Sequence, residues 1–143
     1  MWLPGADVLG GPRPPGRRAD RPRHRLHGRP RLVAHLRETQ IPLEVCPTSN
    51  VCTGQVARIE EHPLPRMIEE GLFVTLNSDD PPMFDTTLSG EYRVAAQHLG
   101  LDRQMLTTLA RNAVQASSLD QAGKKKLLDE IATIADQPTA TAP

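Results

Sequence analysis

Asp79 and Asp80 stand side by side in the stretch VTLNSDDPPMF, straight after an apolar run and straight before two prolines. Neighbouring carboxylates repel unless a cation or a shared proton relieves them. A metal ion is the usual remedy, because carboxylate oxygens bind Zn²⁺ at about 2.0–2.2 Å. In an extended chain adjacent side chains point to opposite sides. One acid would then take a metal while the other addresses something else. The plainer reading is a solvated turn, since Asp-Pro is a common turn starter. An earlier stretch ends in a similar way: in LEVCPTSN, Glu44 and Cys46 run into Pro47-Thr48-Ser49-Asn50.

The elements that must position these residues follow from the hydrophobic pattern. Leu32, Val33 and Leu36 in RLVAHLRETQ sit at helical spacing. IPLEVCP has the length of a strand and is stopped by Pro47. Residues 48–62 are polar and read as a loop, with room for a helical turn. HPLPRMIEEG reads as a short helix, with prolines suited to its first turn and Gly71 as its stop. LFVTLNS is a second apolar strand. Three helices follow: TTLSGEYRVAAQHLG, with Ser89 as the expected N-cap, then a helix starting at Asp102, then DQAGKKKLLDEIATIA. In the last, Leu127, Leu128, Ile131 and Ile134 are expected to be buried. Both strands are continuously apolar, as in parallel strands covered on two faces. Two such strands belong to a larger α/β sheet or barrel. In those architectures functional groups gather at the C-terminal ends of strands, where Glu44, Cys46, Asp79 and Asp80 lie.

Lys plus Arg and Asp plus Glu number 17 each, which gives no basic excess and argues against a nucleic-acid partner. No apolar run approaches the roughly 18 residues of a membrane span. Two cysteines make no disulfide framework, and the N-terminus lacks a signal-peptide core. The expectation is a soluble cytoplasmic protein. Residues 1–29 differ in kind: seven Arg and only two acids fall among residues 1–30, with many Pro and Gly. This segment is expected to be disordered. Residues 137–143 are expected to form a flexible tail, which leaves 30–136 as the folded unit.

The quoted motifs carry a resemblance. LEVCPTSNV, HPLPRMIEEGLFVTLNSDDPPMF, LSGEYRVAAQHLGL and LARNAVQASSL, in this order, resemble the C-terminal part of the adenosine deaminase family. The match runs from about Pro30 to Ile131. It implies the C-terminal section of a (β/α)8 TIM barrel, about two parallel strands with helices. It also implies hydrolysis of adenosine and 2′-deoxyadenosine to inosine and ammonia at one zinc ion, in purine salvage. Asp79 matches the family's metal-binding aspartate, and Asp80 the residue that hydrogen-bonds the purine. Glu44 matches a position near the site, behind the metal ligands. Adenine and aminodeoxyfutalosine are the alternative substrates. Cys46 and Cys52 lack the CxxC spacing by which cytidine-type deaminases bind zinc, and read as ordinary thiols.

Much of the family pattern is absent from the 143 residues. The early HxH metal pair, the strand that carries another metal His and the catalytic Glu, and the GHG element are not in the sequence. His24 and His27 lie in an Arg- and Pro-rich run with no scaffold to fix their rings, and are not expected to replace them. Where GHG should fall the sequence is RPRHRLHGRP. Out-of-frame translation of GC-rich DNA gives that composition, so residues 1–29 are expected to be partly a frameshifted or misassigned start. The chain alone is expected to be inactive, to hold zinc weakly, and, with its sheet edges uncovered, to need another chain or to aggregate. A non-enzymatic remnant is the competing reading.

Overall fold

A computed structural model describes residues 29–137 of the 143. The expectations for residues 1–28 and 138–143, including those for His24 and His27, lie outside the described residues.

The chain enters through helix α1, Pro30–Thr39, whose proline occupies the first turn, where no intrahelical N–H bond is lost. Val33 and Leu36 are its buried face. Gln40 ends it in the left-handed region, φ 50°, and its side-chain amide donates to Arg37 O at 2.7 Å and Gly71 O at 3.1 Å. Strand β1, Leu43–Val45, then pairs in parallel with β2, Val74–Leu76, in the register Leu43 to Val74 and Val45 to Leu76. The connection between them holds helix α2, Pro47–Cys52, a 3-10 turn at Ile59–Glu61, and helix α3, Leu64–Glu69. The segment read as a polar loop with room for a helical turn holds most of α2 and the 3-10 turn, with non-helical chain between them. Pro47 and Pro65 both stand in first turns and start helices rather than merely stopping what precedes them.

Gly71 closes α3 at φ +73°, with its N–H on Ile68 O and the next N–H, from Leu72, on Met67 O. That left-handed residue turns the chain directly into β2. All three β2 residues are buried, as expected for a strand covered on both faces. β1 departs from that expectation, because Glu44 is exposed. Among the described residues β1 also has a strand on one side only.

After β2 come helix α4, Pro81–Phe84, helix α5, Leu88–His98, helix α6, Arg103–Ala116, and helix α7, Gln121–Asp136. All four begin on a side-chain cap, and in α4 Asp80 accepts from Met83 N–H. Thr87 accepts from Gly90 N–H, Asp102 from Met105 N–H, and Asp120 from Gly123 N–H. The cap of α5 is thus Thr87, two residues before the expected Ser89, which lies exposed inside the first turn. α6 packs across β2 and presents Leu109, fully buried, to the core. Its Asn112 Nδ2 donates to Val74 O at 2.8 Å.

The core joins Leu64, Val74, Leu76, Ala95 and Leu109, each at most 1% exposed, with Val33, Leu36, Val45, Met67, Leu72 and Leu101. α7 corrects an expectation. It packs along α6, but none of its residues is buried; Leu127 is 36% and Ile134 61% exposed. Its apolar stripe is real in the sequence, yet the described residues cover only part of it.

Candidate active site at the strand ends

Because β1 and β2 run in parallel, their C-terminal ends lie at the same end of the sheet. β1 delivers Cys46 and α2 there; β2 delivers Asn77, Ser78, Asp79 and Asp80. Asn77 N–H continues the ladder onto Val45 O at 2.9 Å, and its amide donates to Thr75 Oγ1 at 2.9 Å. The chain is thus held in sheet geometry up to the residue before Ser78.

Asp79 then breaks it. Its φ is +57°, in the left-handed region that asparagine and aspartate tolerate better than other side chains with a Cβ. The expectation of an extended pair of acids is corrected here, although the two carboxylates do part company. Asp79 Oδ2 accepts from Ser49 Oγ at 2.7 Å, a bond across the two strand-end loops. Asp80 turns the other way and caps α4, its Oδ1 accepting from Met83 N–H at 3.2 Å. Both acids are exposed, whereas Ser49 is 3% exposed. The reversal at Asp79 relieves the repulsion by giving each carboxylate its own donor.

Cys46 sits beneath this turn. Burial pushes its thiol above the ordinary range; the Asp79 charge adds to that, and a hydrogen bond with the Asp79 backbone partly opposes it. Glu44 and Glu91 push in the same direction as burial, more weakly. The fold therefore favours the neutral form of this half-buried thiol. Cys52 is exposed on α2.

Two residues hold α2 in place, and neither was assigned a role at the site from the sequence. His62 is buried; its Nδ1 accepts from Leu64 N–H at 3.1 Å. A backbone donor on Nδ1 leaves the ring proton on Nε2, which donates to Asn50 Oδ1 at 3.1 Å. Glu91, on α5, is 0% exposed and accepts from Thr48 N–H at 3.1 Å and Thr86 Oγ1 at 2.6 Å. The sequence did hold a signal for it: Glu91 lies four residues before the buried Ala95, so a carboxylate falls inside the apolar stripe of its helix.

His35 and His98 are exposed. Among the described residues no three His, Cys, Asp or Glu side chains converge on a point where a metal ion would be held. Asp79 offers one carboxylate with one oxygen already on Ser49, and Glu44 is exposed on β1. The described residues therefore do not by themselves fit a zinc ion.

Parallel strands delivering acids from one end of a sheet, backed by helices, have the architecture of a section of an α/β barrel. The adenosine deaminase family model matches residues 18–134, and the chain belongs to that family. It is 56% identical over 104 residues to the aminodeoxyfutalosine deaminase of Streptomyces coelicolor, covering 73% of this chain and 27% of that protein. It is 37% identical over 107 residues to the adenine deaminase of Chelativorans sp., covering 75% and 33%. Among solved structures, the adenine deaminase of Arthrobacter aurescens superposes with a TM-score of 0.77 at 34% identity, over 80% of this chain and 35% of that one. Arabidopsis ADAL in complex with IMP gives 0.67 at 28% identity, over 74% and 31%. The chain spans about a third or less of the length of the curated relatives named here. No helix among the described residues is long and apolar enough to cross a membrane.

Proposed function

We propose that this chain is the strand-end corner of a hydrolytic deaminase that removes the 6-amino group of a purine. The observation that carries the reading is the NSDDP turn, in which adjacent acids are parted by a left-handed Asp79 and given separate donors. In this reading Asp80 bonds the purine ring with the oxygen not used in capping α4. Asp79 directs its remaining oxygen to the reacting face, and Ser49 keeps that carboxylate from rotating. Glu44 stands behind the site. A zinc ion, where the family uses one, would activate water. Asp79 would be one of its ligands, and the others would lie outside the described residues.

The substrate supported best is aminodeoxyfutalosine, because the 56% identical relative bears that name. Relatives named adenine deaminase support a free purine base as the alternative. The sequence motifs alone favoured adenosine, and neither of these relatives carries that name. The 143-residue chain by itself is proposed to be inactive, since its described residues bring together neither a metal site nor a proton-shuttling carboxylate.

The test is a graft. Residues 30–134 of this chain replace their counterpart in the Streptomyces coelicolor relative, and ammonia release is measured with aminodeoxyfutalosine, adenine and adenosine. Aminodeoxyfutalosine turnover is expected, lost on Asp79→Ala. Turnover that survives Asp79→Ala would sink the assignment of that residue, and ammonia release by the ungrafted chain would sink the claim of inactivity.

A further inference from the structure

α2 has no cap of its own. The residue before it, Cys46, makes no side-chain cap bond, so the helix's early N–H groups must be met from elsewhere. The donor at Thr48, its second residue, is met by Glu91 Oε2 at 3.1 Å, from a helix 43 residues further along the chain. The other oxygen, Oε1, takes the Thr86 hydroxyl at 2.6 Å. Thr86 closes the turn after α4, its N–H bonded to Pro81 O at 3.2 Å. Glu91 thus grips both loops that hold the acid pair. Ser49, next to Thr48, bonds Asp79; Asp80 caps the helix that Thr86 closes. The neighbouring Gly90 leaves room for this arrangement: a Cβ there would stand 3.2 Å from Thr87 Oγ1 and 3.4 Å from Thr86 Oγ1.

We infer that Glu91 is a positioning residue, a clamp that sets the orientation of Asp79 through Thr48 and Ser49, and of the Asp80 cap through Thr86. A fully buried carboxylate with both oxygens engaged is costly to place and costly to strip of its partners, which is what a clamp requires. The relevance to deamination rests on the reading above, but the geometry does not.

The test is NMR of the 143-residue chain at one fixed pH and without zinc, so that its outcome is independent of the substrate and metal assignments. Three signals are read: hydrogen exchange of the Thr48 amide, the positive φ of Asp79, and the Asp79 side-chain carboxyl shift. Glu91→Ala is expected to speed Thr48 exchange by about tenfold or more, the loss expected for one bond to a charged group. It is also expected to move both Asp79 signals. Glu91→Gln should restore them, because its amide oxygen accepts from Thr48 N–H and its NH₂ donates to Thr86 Oγ1. Leu36→Ala, a core truncation on α1, should lower stability and leave the Asp79 signals in place. If Glu91→Ala does not fold, Thr86→Val is read instead and should speed exchange of the Met83 amide, which the Asp80 cap holds. The inference is overturned if the Asp79 signals stay put in Glu91→Ala, or if Met83 exchange stays put in Thr86→Val where that is read. It is equally overturned if Leu36→Ala moves the Asp79 signals as far, if Glu91→Gln fails to restore them, or if the unmodified chain lacks the positive φ.

Discussion

Replacing Asp79 should separate the backbone and side-chain parts of the NSDDP turn. The Ser49–Asp79 bond joins a buried hydroxyl to a carboxylate at 2.7 Å. A hydrogen bond to a charged group contributes about 1.5–3 kcal/mol, and the exposure of Asp79 puts this one near the lower end, about 1.5 kcal/mol. The φ of +57° adds a backbone term: a side chain with a Cβ is disfavoured there by about 1–2 kcal/mol, less for Asn and Asp. Asp79→Ala loses the bond and keeps the strain, so it should cost about 2–2.5 kcal/mol. Asp79→Gly loses the bond and relieves the strain, for about 1.5 kcal/mol. Asp79→Asn keeps a neutral acceptor and a side chain suited to φ above zero, for about 0.5–1 kcal/mol. Urea unfolding reads the series; with m near 1.5 kcal/mol/M the alanine midpoint should fall by about 1.5 M. Equal costs for Asn and Ala would refute the hydrogen-bond part, and equal costs for Gly and Ala the backbone part.

Two further outcomes follow from neighbouring features. The Cys46 thiol is raised by burial first and by Asp79 second, so the folded state favours the neutral form. Its stabilising contribution is whole below the unfolded thiol range, about 8.5, and is lost as pH climbs through and beyond it. The urea midpoint should therefore drop as pH rises above about 8.5 in the parent and less so in Cys46→Ala. A disulfide reagent should label the exposed Cys52 well before Cys46. Gly71→Ala should cost about 1 kcal/mol through its φ of +73°, since a Cβ there would only touch Arg37 Cδ at 3.8 Å, an ordinary contact. A thermal melt should show a loss of about 4–8 °C, with Gly71→Asn milder.

The sequence disclosed those features that local chemistry dictates. β1 and β2 were legible as apolar runs bounded by proline and polar residues. Asp102 and Gly71 were legible as helix ends, because capping and positive φ select few residue types. Asp79 and Asp80 were legible as a pair, but not the backbone reversal at Asp79 nor its side chain's bond to a serine 30 residues earlier. Thr87 capped α5 where Ser89 was expected, since both hydroxyls suit the role and only the path of the chain out of α4 decides between them. The α7 stripe was read correctly as apolar and wrongly as buried, because burial depends on what packs against a helix and not on its period. Glu91 escaped for the converse reason: a carboxylate inside an apolar stripe reads as a flaw until its donors are known, one of them 43 residues earlier in the chain.

Asn112 has a consequence for how this chain meets other strands. In the parallel ladder Phe73, Thr75 and Asn77 face β1, so the N–H and C=O of Val74 point to the far side of β2. There Val74 O is taken by Asn112 Nδ2, a side chain standing where a strand's amide would be. At β1 the same alternation turns the peptide groups of Glu44 outward, with no strand opposite among the described residues. One flank of the ribbon is plugged and the other is open. An amyloid-like intruder meeting this ribbon by itself is steered to the β1 side, and there it meets the negative charge of Glu44.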